Sequence, residues 1–180
     1  KSLSFGTSGL RGIMGAGTNR MNRYVVRKVT QGVASYIKKN YSDPSFVIAY
    51  DCRKNSDEFA KEAACVMAAN GIPVYIFDEM APVSLLSFAV KRLGASLGLM
   101  ITASHNSREY NGYKVYSSDG YQITDEASEA ILAECQQLDT FEDVSYMEFE
   151  DALKWSICTY IEDSICEEFI ESILALRLTD

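Results

Sequence analysis

Three short apolar runs constrain this fold more than any other feature: Phe46–Tyr50 (FVIAY), Val74–Phe77 (VYIF) and Leu97–Ile101 (LGLMI). Each is apolar along its length rather than alternating, so each reads as a strand buried on both faces. Helical patterns separate them. Val25, Val29, Val33 and Tyr36 or Ile37 share one face of a helix predicted over Asn22–Lys39. Asn55 or Ser56 can cap a second helix, which Asp57 and Glu58 suit in its first turn and which Gly71 ends. A third follows Pro82 and stops before Gly94, and Thr124 caps a fourth that runs to Leu138. This alternation predicts a three-layer α/β/α domain around a mainly parallel mixed sheet. The stretch YKVYSSDGYQI adds an antiparallel edge hairpin turning at Asp119-Gly120, and Asn111-Gly112 reads as a turn leading into it.

The domain is expected over residues 1–138, followed by an acidic linker over 139–154. Beyond it, an amphipathic helix is expected from Trp155 to Leu176, within the segment 155–180. Ile157, Ile161, Ile165, Phe169 and Ile173 recur there every four residues. That helix packs on the domain or bridges to a further one. A chain of 180 residues, 47% hydrophobic, suits one ordered domain. No apolar run approaches the ~20 residues needed to span a bilayer, and residues 1–4 show no secretory h-region, so no membrane partner is expected. Five cysteines without a CxxC pair read as free thiols in a reducing cytoplasm. The net charge of −8 argues against nucleic acid. Charge is uneven, however: residues 1–54 carry ten Lys/Arg against only Asp43 and Asp51, which suggests a local anion site.

Ligands of open parallel sheets bind beyond the carboxyl ends of the strands. Asp51 and Arg53 follow the first run there, as a loop ion pair or as a device that orients a neighbouring phosphate loop. TASHN, residues 102–106, follows the third. Residues 5–12, FGTSGLRG, form a glycine-rich loop whose backbone N–H groups could hold an anion, with Arg11 as a bidentate partner. That loop lacks the Gly-Lys-Ser/Thr ending of a Walker A motif. His105 is the single histidine. A Ser104–His105 hydrolase pair is disfavoured, because neighbours on an extended chain point apart and no GxSxG elbow is present. Metal binding by His105 lacks a second strong ligand nearby. Lys114 is a surface charge or, beside a phosphorylated serine, a neutralising and proton-shuttling group.

Together, FGTSGLRG, YDCR (residues 50–53) and TASHN…NGYK resemble the first domain of the α-D-phosphohexomutases. GAGTNRMNRYVVRK and NGYKVYSSDGYQI are most similar to the bacterial phosphoglucomutase and phosphopentomutase-like branch. The resemblance runs from Phe5 to Leu138. It implies a phosphoserine at Ser104 that exchanges its phosphoryl group with a sugar phosphate through a bisphosphorylated intermediate. Glucose 1-phosphate and glucose 6-phosphate would be interconverted in this way. It implies Lys114 as general acid/base and Arg11 as charge partner. Thr7, Ser8, Gly9, Asp51, Arg53, His105 and Asn106 would bind phosphate or substrate. Mg²⁺ would meet this domain only through the Ser104 phosphate, its aspartates lying in another domain, and a sugar bisphosphate would act as activator. The domain's partners would be the sugar phosphate and the remaining domains of its own enzyme, without which it is expected to be inactive. A non-catalytic phosphosugar-binding module and an interaction domain are the alternatives. One departure stands out: Ser107 replaces the family's usual proline, which predicts a more mobile loop.

Overall fold

The computed structural model describes residues 9–177. Six strands form one sheet in the order β1-β5-β4-β2-β3-β6. They are β1 (Leu10–Ile13), β2 (Phe46–Tyr50), β3 (Val74–Ile76), β4 (Leu97–Ile101), β5 (Tyr110–Ser117) and β6 (Cys158–Tyr160). β4, β2, β3 and β6 are mutually parallel, whereas β5 is antiparallel to both β4 and β1. Helices α1 (Arg23–Asn40), α2 (Ser56–Ala69), α4 (Asp125–Gln137) and α5 (Phe149–Lys154) cover one face. Helices α3 (Val83–Arg92) and α6 (Asp163–Leu174) cover the other. The expected three-layer, mainly parallel architecture is therefore present. β2 and β4 coincide with two of the three runs read from sequence, β3 falls within the other, and every residue of β4 is buried.

Caps explain several boundaries. Asn22 Oδ1 accepts the Val25 N–H at the start of α1, and Thr124 Oγ1 accepts the Ala127 N–H at the start of α4. Asn22 Nδ2 also donates to the carbonyls of Gly15, Gly17 and Arg20, folding the β1–α1 connection back on itself. Neither candidate caps α2. Asn55 is left-handed there and makes no side-chain cap bond, while the Ser56 hydroxyl donates to Asp51.

Several sequence expectations give way. Asn111-Gly112 is not a turn but lies fully inside β5, because tertiary contacts override the dipeptide. Asn111 Nδ2 donates to the Lys54 carbonyl and to Ser56 Oγ, and Gly112 passes between two neighbouring strands. The hairpin at Asp119-Gly120 shrinks to one bridge, Tyr116–Gln122. The tight turn itself is present, with Gly120 at φ +81°. β5 instead receives β1, a strand hidden in LRGI, so β1 forms the antiparallel edge.

The helix expected from Trp155 starts only at Asp163. Ser156 takes a left-handed turn at φ +56°, and Cys158–Tyr160 pairs with β3. Four-residue spacing fits Ile157 and Ile161 equally well as residues flanking a short strand. The stretch expected as a linker carries α5, whose Ala152 is fully buried, and the Met147 N–H donates to the Cys65 carbonyl.

Candidate active site

The carboxyl ends of β4 and β2 meet the start of β5, and the motifs converge there. β4 ends at Ile101, and the chain continues in register for one more residue: the Thr102 N–H donates to the Gly112 carbonyl. It then turns sharply. Ser104 adopts φ +58°, a left-handed conformation uncommon for a side chain with a Cβ. Thr102 Oγ1 accepts the Ser104 N–H at 2.9 Å, and the Asn106 N–H closes the turn on the Ala103 carbonyl. Ser104 is exposed at the tip.

Arg53 holds this turn from below. Its Nη2 donates to the carbonyls of Ser104 at 2.8 Å and Asn106 at 2.5 Å. Its Nη1 donates to the carbonyls of Ser107 at 2.9 Å and Tyr110 at 3.1 Å. Nε faces Asp51 Oδ2 at 3.4 Å, and the Arg53 side chain is only 13% exposed. Asp51 Oδ1 in turn accepts from the Arg53 N–H and from Ser56 Oγ. Asp51 and Arg53 thus form an ion pair beside the serine turn, with four of that turn's carbonyls accepting from Arg53. The Ser107 carbonyl is one of the four that Arg53 holds, and the Glu109 backbone and the Ser107 hydroxyl keep the Glu109 carboxyl below its ordinary pKa.

Arg11 and Lys114 come from the antiparallel pair β1–β5. Along β5, Tyr113 and Val115 face the α1–α2 side, where the Tyr113 hydroxyl meets Thr30 Oγ1 at 3.0 Å. Lys114 alternates to the other face and is 8% exposed. Burial lowers its pKa, nearby Arg11 lowers it further, and Asp51 opposes both. Arg11 pairs with Gly112, its Nη1 donates to Asn106 Oδ1 at 3.2 Å, and its buried Nε has no partner among the described residues. Two closely placed cations, one of them short of an acceptor, leave room for an anion. Gly9 is at φ +76°, and a Cβ there would run into the Tyr113 carbonyl oxygen. His105 is exposed in the serine turn. Thr7 and Ser8 lie outside the described residues.

A cleft of about 960 Å³ opens beside the turn, lined by Ser104, Asn106, Asp51, Cys52, Lys54 and Arg108 among others. Neither Arg11 nor Lys114 lines it. A second, more apolar cavity lies between α1, α2 and α4 and shares Met14, Gly15 and Asn55 with this cleft. Among the described residues no three His, Cys, Asp or Glu side chains cluster as metal ligands. Among them, too, no helix is long and apolar enough to cross a membrane. Thr102 escaped the sequence reading as a site residue. A hydroxyl two residues before a turn tip is the weak signal that could have found it.

Comparison with known proteins fits this arrangement. The family described as phosphoglucomutase/phosphomannomutase, alpha/beta/alpha domain I, matches residues 2–142. The phosphoglucomutase of Staphylococcus saprophyticus is 38% identical over 174 residues, covering 97% of this chain and 32% of that protein. That of Staphylococcus haemolyticus is 46% identical over 126 residues, covering 70% of this chain and 23% of that protein. A putative phosphomannomutase from Thermus thermophilus shares the fold at a TM-score of 0.80 and 24% identity, over 97% of this chain and 36% of that one. The chain therefore spans about a quarter to a third of the length of the curated relatives it matches. It belongs to the phosphoglucomutase/phosphomannomutase family, as that family's α/β/α domain I.

Proposed function

We propose that this domain carries the phosphoryl group of a phosphoglucomutase, with Ser104 as the carrier. The observation that supports this most is Ser104 itself: exposed, left-handed, at the carboxyl edge of the sheet, in a turn tied by Asn106 to Arg11. A phosphoserine brings about −1.5 to −2 charges and three acceptor oxygens. Arg11, held in that turn, offsets the charge. Lys114, its pKa lowered by burial and by Arg11, is placed to give and take the sugar hydroxyl's proton.

In the forward direction the Ser104 O–P bond breaks as the phosphoryl group passes to the free hydroxyl of a glucose phosphate; Lys114 accepts that hydroxyl's proton, and the freed Ser104 oxygen takes up a proton in turn. The bisphosphorylated sugar reorients, and its other phosphate returns to the Ser104 oxygen, whose proton is given up while Lys114 protonates the newly freed sugar oxygen. Glucose 1-phosphate and glucose 6-phosphate interconvert, and a sugar bisphosphate primes the serine. Mg²⁺ supplies charge neutralisation when bound. Its protein ligands belong to parts of the enzyme outside this chain, with the Ser104 phosphate as the contribution made here. Five free thiols fit a cytoplasmic setting.

The test is Ser104→Ala in the complete enzyme that carries this domain, with mass analysis of the wild-type chain. Loss of turnover, and a phosphoryl group found on Ser104, are expected. Turnover surviving in the alanine variant would sink the reading.

A further inference from the structure

The guanidinium of Arg53 has five N–H groups. Four donate to main-chain carbonyls of the serine turn, and the fifth faces Asp51. All five therefore point at protein acceptors, and none is turned outward for a phosphate. Those four carbonyls belong to residues 104, 106, 107 and 110, so one rigid fork spans the entire turn. The main chain it holds is unfavourable by itself. Left-handed geometry at a non-glycine residue persists only where the surroundings fix it. Ser107 offers no proline ring to restrict the chain at that point. Arg53 supplies the missing constraint from outside the loop.

We propose that Arg53 is a positioning residue for the phosphoryl-carrying serine: it fixes the left-handed main chain at Ser104 and binds no phosphate itself. The proposal rests on Ser104 being the carrier. Because the clamp grips carbonyls and never the hydroxyl, it is indifferent to whether that hydroxyl is phosphorylated. The turn keeps one shape through the cycle, and no part of the barrier goes into rebuilding it. Lysine cannot replace this fork, having three donors on one rotating atom.

Arg53→Lys in the complete enzyme separates the possibilities. Turnover is expected to fall about 100-fold, the scale of a small misplacement of a reacting group, with KM for the sugar phosphate within about threefold of wild type. Hydrogen exchange in the same variant should accelerate at least about tenfold at the amides of Ser104, Asn106 and Tyr110, and stay unchanged in β2 and β4. A raised KM with turnover preserved would make Arg53 a phosphate ligand and overturn the proposal. So would turn amides that exchange at the wild-type rate, or core amides that accelerate with them. If Ser104→Ala keeps its turnover while the exchange pattern appears as expected, the clamp stands and the carrier assignment alone has failed.

Discussion

Arg11 stands directly across the β1–β5 ladder from Gly112, and the missing side chain of that glycine is what lets Arg11 lie against the sheet. A Cβ at residue 112 would come within 3.1 Å of Arg11 Cγ, 2.6 Å of the Thr102 carbonyl oxygen and 2.8 Å of the Leu10 carbonyl oxygen. Backbone on both sides leaves no flexible neighbour to yield. Gly112→Ala should destabilise the domain by about 1–3 kcal/mol, the ordinary scale of overpacking. It should also displace Arg11 from Asn106. Chemical denaturation measures the first effect and turnover of the complete enzyme the second. A variant as stable and active as wild type would show that β1 is not fixed against β5 in this register.

Lys114 has its pKa lowered from the ordinary 10.5 by burial and by Arg11. The folded chain therefore holds that proton less tightly than the unfolded one. The charge costs stability fully below the lowered value, and this cost disappears as pH rises towards 10.5. Lys114→Met should raise the unfolding midpoint at neutral pH, and its advantage should shrink as pH is raised. The same change should abolish turnover if Lys114 moves the sugar proton. Thermal melts from about pH 6 to about pH 10 supply the first readout. An advantage that grows with pH contradicts the assigned direction of the shift.

The cysteines offer a probe of the cleft. Burial pushes the thiols of Cys65 and Cys135 up to about 11 and that of Cys158 up to about 12. At about pH 8 these remain protonated, buried and unreactive. Cys52 is exposed and lines the same cleft as Ser104. Iodoacetamide should therefore alkylate Cys52 before those three, and glucose 1,6-bisphosphate should slow the reaction in the complete enzyme. Peptide mapping reads both outcomes. Labelling at Cys52 that ignores the sugar phosphate would place the ligand elsewhere.

Much of this could be read from sequence where one force dominates. FVIAY and LGLMI are buried on both faces, so burial alone sets their limits. Thr124 is a local cap and needs no tertiary information. LRGI was not legible as a strand: it is four residues long, half-buried, and paired with a segment far along the chain. Asn111-Gly112 misled because turn preference is local whereas its register is imposed by β1, β4 and Ser56. β6 was hidden by isoleucine spacing that fits either kind of element. The site shows the same division. Ser104, Arg11 and Lys114 stand out as motif residues. The four-carbonyl grip of Arg53 is invisible in sequence, because the carbonyls it holds carry no residue identity.

The edge position of β1 bears on the order in which the domain assembles. Arg11 and Asn106, which join the cation to the serine turn, lie 95 residues apart. During synthesis β1 emerges well before its strand partner, β5, which arrives after three helices and three strands. Closing so long a loop is slow and unfavourable until the parallel strands have gathered. A nascent chain therefore exposes its serine turn and its arginine as unconnected pieces. Affinity for a sugar phosphate would be acquired late, once β1 is seated against β5.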